Sequence, residues 1–160
     1  MPNISLGKNS LTLIGGSRMT TGVDNFEMYE IDLQRMQWNK IEQSKPIVQN
    51  MGTKPLYIIN QAKRKFDLYS FSGMVPLQRI NSGVRVCPPD LFSYDSKEDQ
   101  WQRVINANSM QLEGRKHFAM SECDGRIYIS GGMDHSQKML DRIISYDIES
   151  GEWQDYKQVR

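Results

Sequence analysis

Cys123-Asp124-Gly125-Arg126-Ile127-Tyr128-Ile129-Ser130-Gly131-Gly132 sets the architecture of this chain. Asp124-Gly125 lies between two apolar runs, and Gly accepts the positive φ that a tight hairpin turn needs. Residues His117 to Glu122 read as a first strand, and Arg126 to Ser130 as a second strand running into a glycine pair. A loop continues to about Asp141. Ile143-Ile144-Ser145-Tyr146-Asp147 then reads as a third strand and Trp153 to Tyr156 as a fourth. The product is a four-stranded antiparallel meander.

The pattern recurs. Shifted back by 116 residues, Gly131-Gly132 falls on Gly15-Gly16, Ile127 on Leu11, Ile129 on Leu13 and Met120 on Ile4. The first copy's third strand is Met28 to Asp32, and Asp32 precedes Trp38 by six residues, the spacing that separates Asp95 from Trp101 and Asp147 from Trp153. The middle copy is the most worn. Its first strand is Leu56 to Ile59, Lys63-Arg64-Lys65 makes the turn, and Leu68 to Phe71 leads to Ser72-Gly73. A long insertion, Met74 to Asp90, separates that strand from Leu91 to Asp95. A single meander cannot bury both of its faces, so such repeats must stack.

These residues resemble kelch repeats, whose blade carries a di-glycine after the second strand, a tyrosine in the third and a tryptophan opening the fourth. The matching marks are Gly15, Gly16 and Trp38; Gly73, Tyr94 and Trp101; and Gly131, Gly132, Tyr146 and Trp153. Arg115-Lys116-His117 is similar to the family's lead-in to a first strand. Ile31 stands at the tyrosine position of the first copy and Ser72 at the first glycine of the second, so those two blades are expected to be less regular. The resemblance implies an all-β fold of kelch-type β-propeller blades, an incomplete ring of three. Their expected bounds are about 2–42, 54–105 and 114–158. It also implies that each tryptophan is buried between blades. Closed propellers typically have four to eight blades. Three blades are expected either as a portion of a longer propeller or as half of a ring completed by a second copy or another chain.

Composition narrows the function. Twenty basic residues against nineteen acidic ones give a net charge of +1, so no polyanion such as nucleic acid is expected as partner. The apolar runs are too short for a membrane span, and the first residues show no apolar signal segment. The two cysteines, Cys87 and Cys123, read as reduced thiols of an intracellular, cytoplasmic protein. The scattered methionines read as fillers of core gaps.

Catalytic chemistry finds little to stand on. Of the two histidines, His117 reads as a structural residue hydrogen-bonded within its blade, and His135, beside Asp134, as part of a solvated loop. Galactose oxidase-like enzymes carry similar blades with copper held by histidines and tyrosines, and no such constellation occurs in this sequence. No phosphate-binding glycine motif precedes a helix. The expectation is therefore a non-enzymatic module without catalytic, metal or cofactor-binding residues.

Loops on a rigid scaffold commonly carry recognition. The segments joining second to third strands, about 17–25, 74–90 and 133–141, should emerge on one face. In the longest, Met74, Leu77, Arg79, Ile80 and Arg85 interleave apolar groups with arginine, a composition that suits an interface core. A loop folded onto its own blade would explain the same residues. Lys63-Arg64-Lys65 fits a soluble turn or a contact with an acidic partner. The expected function is a scaffold or adaptor that binds another protein through the loop face or a blade edge, with self-association as a further possibility. The rivals are a propeller enzyme whose site lies in other blades and a structural subunit of a large assembly. Many kelch proteins serve ubiquitin ligases or bind cytoskeletal assemblies, and the resemblance selects neither.

Overall fold

The computed structural model describes residues 3–6, 9–14, 27–44, 55–60, 65–73, 75–76, 85–95 and 97–156. Strands and turns make up the described residues, with no helix among them. Three four-stranded antiparallel sheets follow one another along the chain. The first holds β1 (Asn3–Leu6), β2 (Ser10–Ile14), β3 (Met28–Asp32) and β4 (Gln37–Ile41). The second holds β5 (Pro55–Asn60), β6 (Lys65–Phe71), β9 (Leu91–Asp95) and β10 (Gln100–Arg103). The third holds β11 (Ala119–Cys123), β12 (Arg126–Ser130), β13 (Ile143–Asp147) and β14 (Trp153–Tyr156). The first strands of successive sheets lie together, β1 beside β5 and β5 beside β11, so the sheets fan out from one side.

Local chemistry explains the repeat. Asp124 and Gly125 both hold positive φ, 50° and 74°, as a primed two-residue hairpin requires. The shift of 116 residues keeps the pairing, since Ile4 faces Leu13 as Met120 faces Ile129. The aspartate ending each third strand shapes the next turn. Asp32 Oδ1 accepts the N–H groups of Gln34 and Arg35 at 2.8 and 3.0 Å. Asp147 Oδ1 accepts those of Glu149 and Ser150 at 3.0 and 2.9 Å, and Asp95 Oδ1 that of Lys97 at 2.9 Å. Each turn then passes through a left-handed residue two places before the tryptophan: Met36 (φ 53°), Asp99 (φ 49°) and Gly151 (φ 74°). The six-residue interval between Asp and Trp is the length of this turn.

Two apolar clusters bind the three sheets. Between the first and second, Ile14 and Met28 meet Leu68, Tyr94 and Trp101. Between the second and third, Tyr69, Phe71 and Leu91 meet Phe118, Ile127, Ile129, Ile144, Tyr146 and Trp153. Phe71 sits edge-on to Phe118 at 5.7 Å between ring centroids and tilted to Trp153 at 5.5 Å.

Several expectations need correction. Trp38 is not buried between sheets: it is 55% exposed, against 6% for Trp101 and 4% for Trp153. The strand expected from His117 begins at Ala119, because His117 holds a left-handed bend (φ 56°) and is exposed. The 74–90 insertion is not wholly irregular, for Val75–Pro76 and Arg85–Val86 pair as a short ladder, β7 and β8. Ser72 does not disturb its sheet. It adopts φ 47°, close to the 67° of Gly131 at the matching place. Methionines divide between core and surface, Met28 being 2% exposed and Met36 and Met139 each 68%.

Candidate protein-binding surface

The connection from the second sheet to the third builds a concavity on the surface. Val104 extends β10 by donating its N–H to Leu91 O at 2.8 Å. The chain then turns on Asn106, whose Nδ2 donates to Met110 O at 2.8 Å. Asn108 clamps the outer edge of the third sheet: its Nδ2 donates to Trp153 O at 2.6 Å and its Oδ1 accepts Trp153 N–H at 3.2 Å. One side-chain amide thus takes the place of a neighbouring strand for that residue.

The segment held in this way leaves a cavity of about 400 Å3 lined by Leu91, Val104, Ile105, Met110, Leu112 and Trp153, with Pro89, Asp90, Arg103 and Asn106 completing it. That volume is within the range of pockets that take a ligand or a large side chain. Ile105, at 84% exposure, stands at its rim. Arg103 Nε donates to Asp90 Oδ1 at 2.8 Å, giving the mouth a fixed charged pair. Pro89 and Asp90 also end the long insertion, so the cavity adjoins the segment singled out from sequence.

Met74, Leu77, Arg79 and Ile80 lie outside the described residues, as do Gly15, Gly16, the 17–25 loop, and Lys63 and Arg64. Arg85 pairs with Pro76 in the short ladder. The third loop, 133–141, is built around Asp134, whose Oδ1 accepts Ser136 Oγ–H at 2.7 Å and the N–H groups of Ser136 and Lys138 at 2.8 and 2.9 Å. These bonds, the Ser136 hydroxyl first, hold the Asp134 carboxyl below its ordinary range. Its acceptor atom is thereby committed to the loop. Among the described residues no group of three or more His, Cys, Asp or Glu side chains is placed to hold a metal ion.

Sequence reasoning read Arg115 only as part of a lead-in and missed Gly114, and both are structural anchors. Arg115 is 1% exposed, and its guanidinium donates to the carbonyls of Glu113, Gly131 and Arg142 at 3.3, 3.2 and 3.4 Å. Burial pushes its proton affinity down, yet arginine stays charged. The second is Gly114: a Cβ there would lie 1.6 Å from Cys87 O, so only glycine lets the two backbones pass. Cys87 is buried, which pushes its thiol up, whereas Cys123 is exposed. Tyr94 is likewise raised by burial, with a second contribution from its 3.0 Å hydrogen bond to Asp99 Oδ1.

Comparison with known proteins agrees with the repeat marks. Residues 114–157, the third sheet with its lead-in, match the Kelch motif. The rat Kelch-like protein 24 is 39% identical over 57 residues, which is 36% of this chain and 9% of that protein. The rat Kelch-like protein 21 is 25% identical over 79 residues, 49% of this chain and 13% of that protein. The chain therefore matches only about a tenth of the length of these relatives.

Proposed function

We propose that this chain, which belongs to the kelch-repeat family, is a protein-interaction module working as a scaffold or adaptor and not as an enzyme. The observation that carries the reading is the cavity between the second and third sheets. Stacked strands fix its walls, and its rim presents Ile105, 84% exposed, beside a charged pair. A partner's apolar side chain seated there would remove Ile105 and the exposed part of Met110 from water, a gain of about 25 cal/mol for each Å2 of apolar surface covered. The Asp90–Arg103 pair would supply polar contacts at the edge, the arrangement of a buried anchor ringed by polar groups. Met74, Leu77, Arg79, Ile80 and Arg85 are proposed as further contact residues on their composition, apolar groups interleaved with arginine. The two free thiols support an intracellular setting.

The test is capture of partners from native cells with the full chain, followed by mass spectrometry, comparing the unaltered protein with Ile105→Glu. Since Ile105 is mostly solvent-exposed, the variant should unfold at an unchanged temperature and lose a stoichiometric protein that the unaltered chain retains. Equal retention by both, or no stoichiometric protein at all, overturns the reading.

A further inference from the structure

The outer edge of the second sheet ends at the mouth of the Ile105 cavity, where its backbone has open hydrogen-bonding groups. β10 is the last strand of that sheet, with β9 on one side only. Arg103 stands opposite Phe92, and Val104 donates its N–H to Leu91 O at 2.8 Å. Hydrogen-bonded and non-hydrogen-bonded pairs alternate along an antiparallel ladder, so the Arg103 N–H and C=O point away from β9. Ile105 is two residues further on, and among the described residues neither its N–H nor its C=O has a hydrogen-bond partner. Donor–acceptor pairs two residues apart are what an added strand needs.

The corresponding edge of the third sheet already takes an amide. Asn108 presents its side-chain amide to Trp153 of β14, the outermost strand there, donating to the C=O and accepting the N–H. Among the described residues, nothing of this kind meets Arg103 or Ile105. Side chains inside the sheet show where a residue of an added strand would point. Leu91 and Val104 are cross-strand neighbours packed toward Trp153, and both line the cavity. A residue set opposite Val104 on an added strand would continue that row into the cavity. The charge at the rim is one-sided. Arg103 directs Nε and Nη2 to a single Asp90 oxygen, Oδ1, at 2.8 and 2.5 Å. The Arg103 side chain is 71% exposed and that of Asp90 20%, so the mouth shows solvent a guanidinium with Nη1 uncommitted.

We infer that the edge at Arg103 and Ile105 takes an extended, acidic segment of another protein, with one bulky apolar side chain in the cavity and a neighbouring carboxylate on Arg103. Main-chain bonds would hold the segment and the cavity would select its side chain, the division of labour in strand addition. The segment is acidic because the guanidinium fork pairs with a carboxylate through parallel N–H bonds, whereas a lysine or arginine there would meet a like charge. The inference rests on the reading of the Ile105 cavity as the seat of a partner, and adds the chemistry of the segment that enters it.

A displayed library of random short peptides, selected on the full chain and then synthesised, tests it. Selection should enrich sequences that place Asp or Glu beside Leu, Ile, Phe or Met. Methylating alternate backbone nitrogens of such a peptide, in one of the two phases, should weaken binding about tenfold by removing main-chain bonds. Arg103→Gln should weaken it by a similar factor, and because the side chain is mostly exposed this variant should keep the circular dichroism of the unaltered protein. Peptides that need Ile105 but tolerate methylation in both phases, or that lack an acidic residue and bind Arg103→Gln equally, overturn the inference and leave the cavity reading in place. Peptides indifferent to Ile105→Glu, or no enrichment at all, overturn the cavity reading and the inference with it.

Discussion

Gly132 and Gly151 both occupy the left-handed region, with φ of 92° and 74°, but only one of them is enclosed. A Cβ on Gly132 would lie 2.8 Å from Lys116 O and 3.0 Å from Phe118 Cβ. Lys116 and Met133 exchange backbone hydrogen bonds of 2.9 and 3.0 Å at that point, so any displacement reaches the lead-in to the third sheet. Around Gly151 the nearest atom, Ala107 Cβ, is at 3.5 Å, an ordinary contact. Gly151→Ala should therefore cost only the conformational strain of about 1 kcal/mol, as Met36 and Asp99 sustain at the matching places. Gly132→Ala adds a backbone clash and should cost roughly 2–4 kcal/mol. Urea unfolding of the two variants measures the difference, and equal losses would show that the close approach to Lys116 does not matter. The glycine pair was legible in the sequence as a strand-end mark. What it makes room for was not, because that contact depends on how the lead-in folds back.

The aspartate turns operate at the scale of an element. Asp147 accepts two backbone N–H groups from its own turn and pairs through Oδ2 with Arg126 at 2.9 Å. The Ser150 N–H leads in holding its carboxyl below the ordinary value. A carboxyl depressed in the folded state stabilises the fold above its unfolded value, near 4, and that contribution disappears as pH falls through the lower folded value. Asp32 is depressed for the same reason, led by the Arg35 N–H. Asp147→Asn keeps an acceptor oxygen for the turn but has no proton to gain. Its melting temperature should accordingly fall less than that of the unaltered protein between about pH 5 and pH 2. Parallel acid limbs would remove Asp147 from the account. At this scale the sequence was most informative: the third strands Met28–Asp32, Leu91–Asp95 and Ile143–Asp147 stand where the Asp–Trp spacing put them. The short ladder inside the 74–90 insertion was not visible, because two-residue strands, one containing Pro76, carry no alternation to detect.

For the whole molecule, the decisive quantity is which face of each sheet has a neighbour. Leu11 and Leu13 align with Ile127 and Ile129, yet the latter pair is fully buried and the former only half, because the second sheet adjoins opposite faces of the two. A repeat motif specifies both faces of a blade and is silent on what stands beside it, which is why Trp38 was expected inside. The Ile105 cavity was invisible for a related reason, since it belongs to a connection outside the repeat. Stability in such a stack is a sum over neighbours, not the property of one central core. Phe71 tests this directly. It is wholly buried between the second and third sheets, against Phe118 and Trp153. Phe71→Ala should cost about 3–5 kcal/mol at that junction, enough to raise local opening more than a hundredfold. If the sheets couple only to their neighbours, hydrogen exchange will quicken in β12 and β13 while amides of β2 and β3, held by the Ile14–Met28 junction, keep most of their protection. Uniform acceleration across all three sheets would mean that the chain opens as a single cooperative unit, and that the Phe71 contact governs the first sheet as strongly as the third.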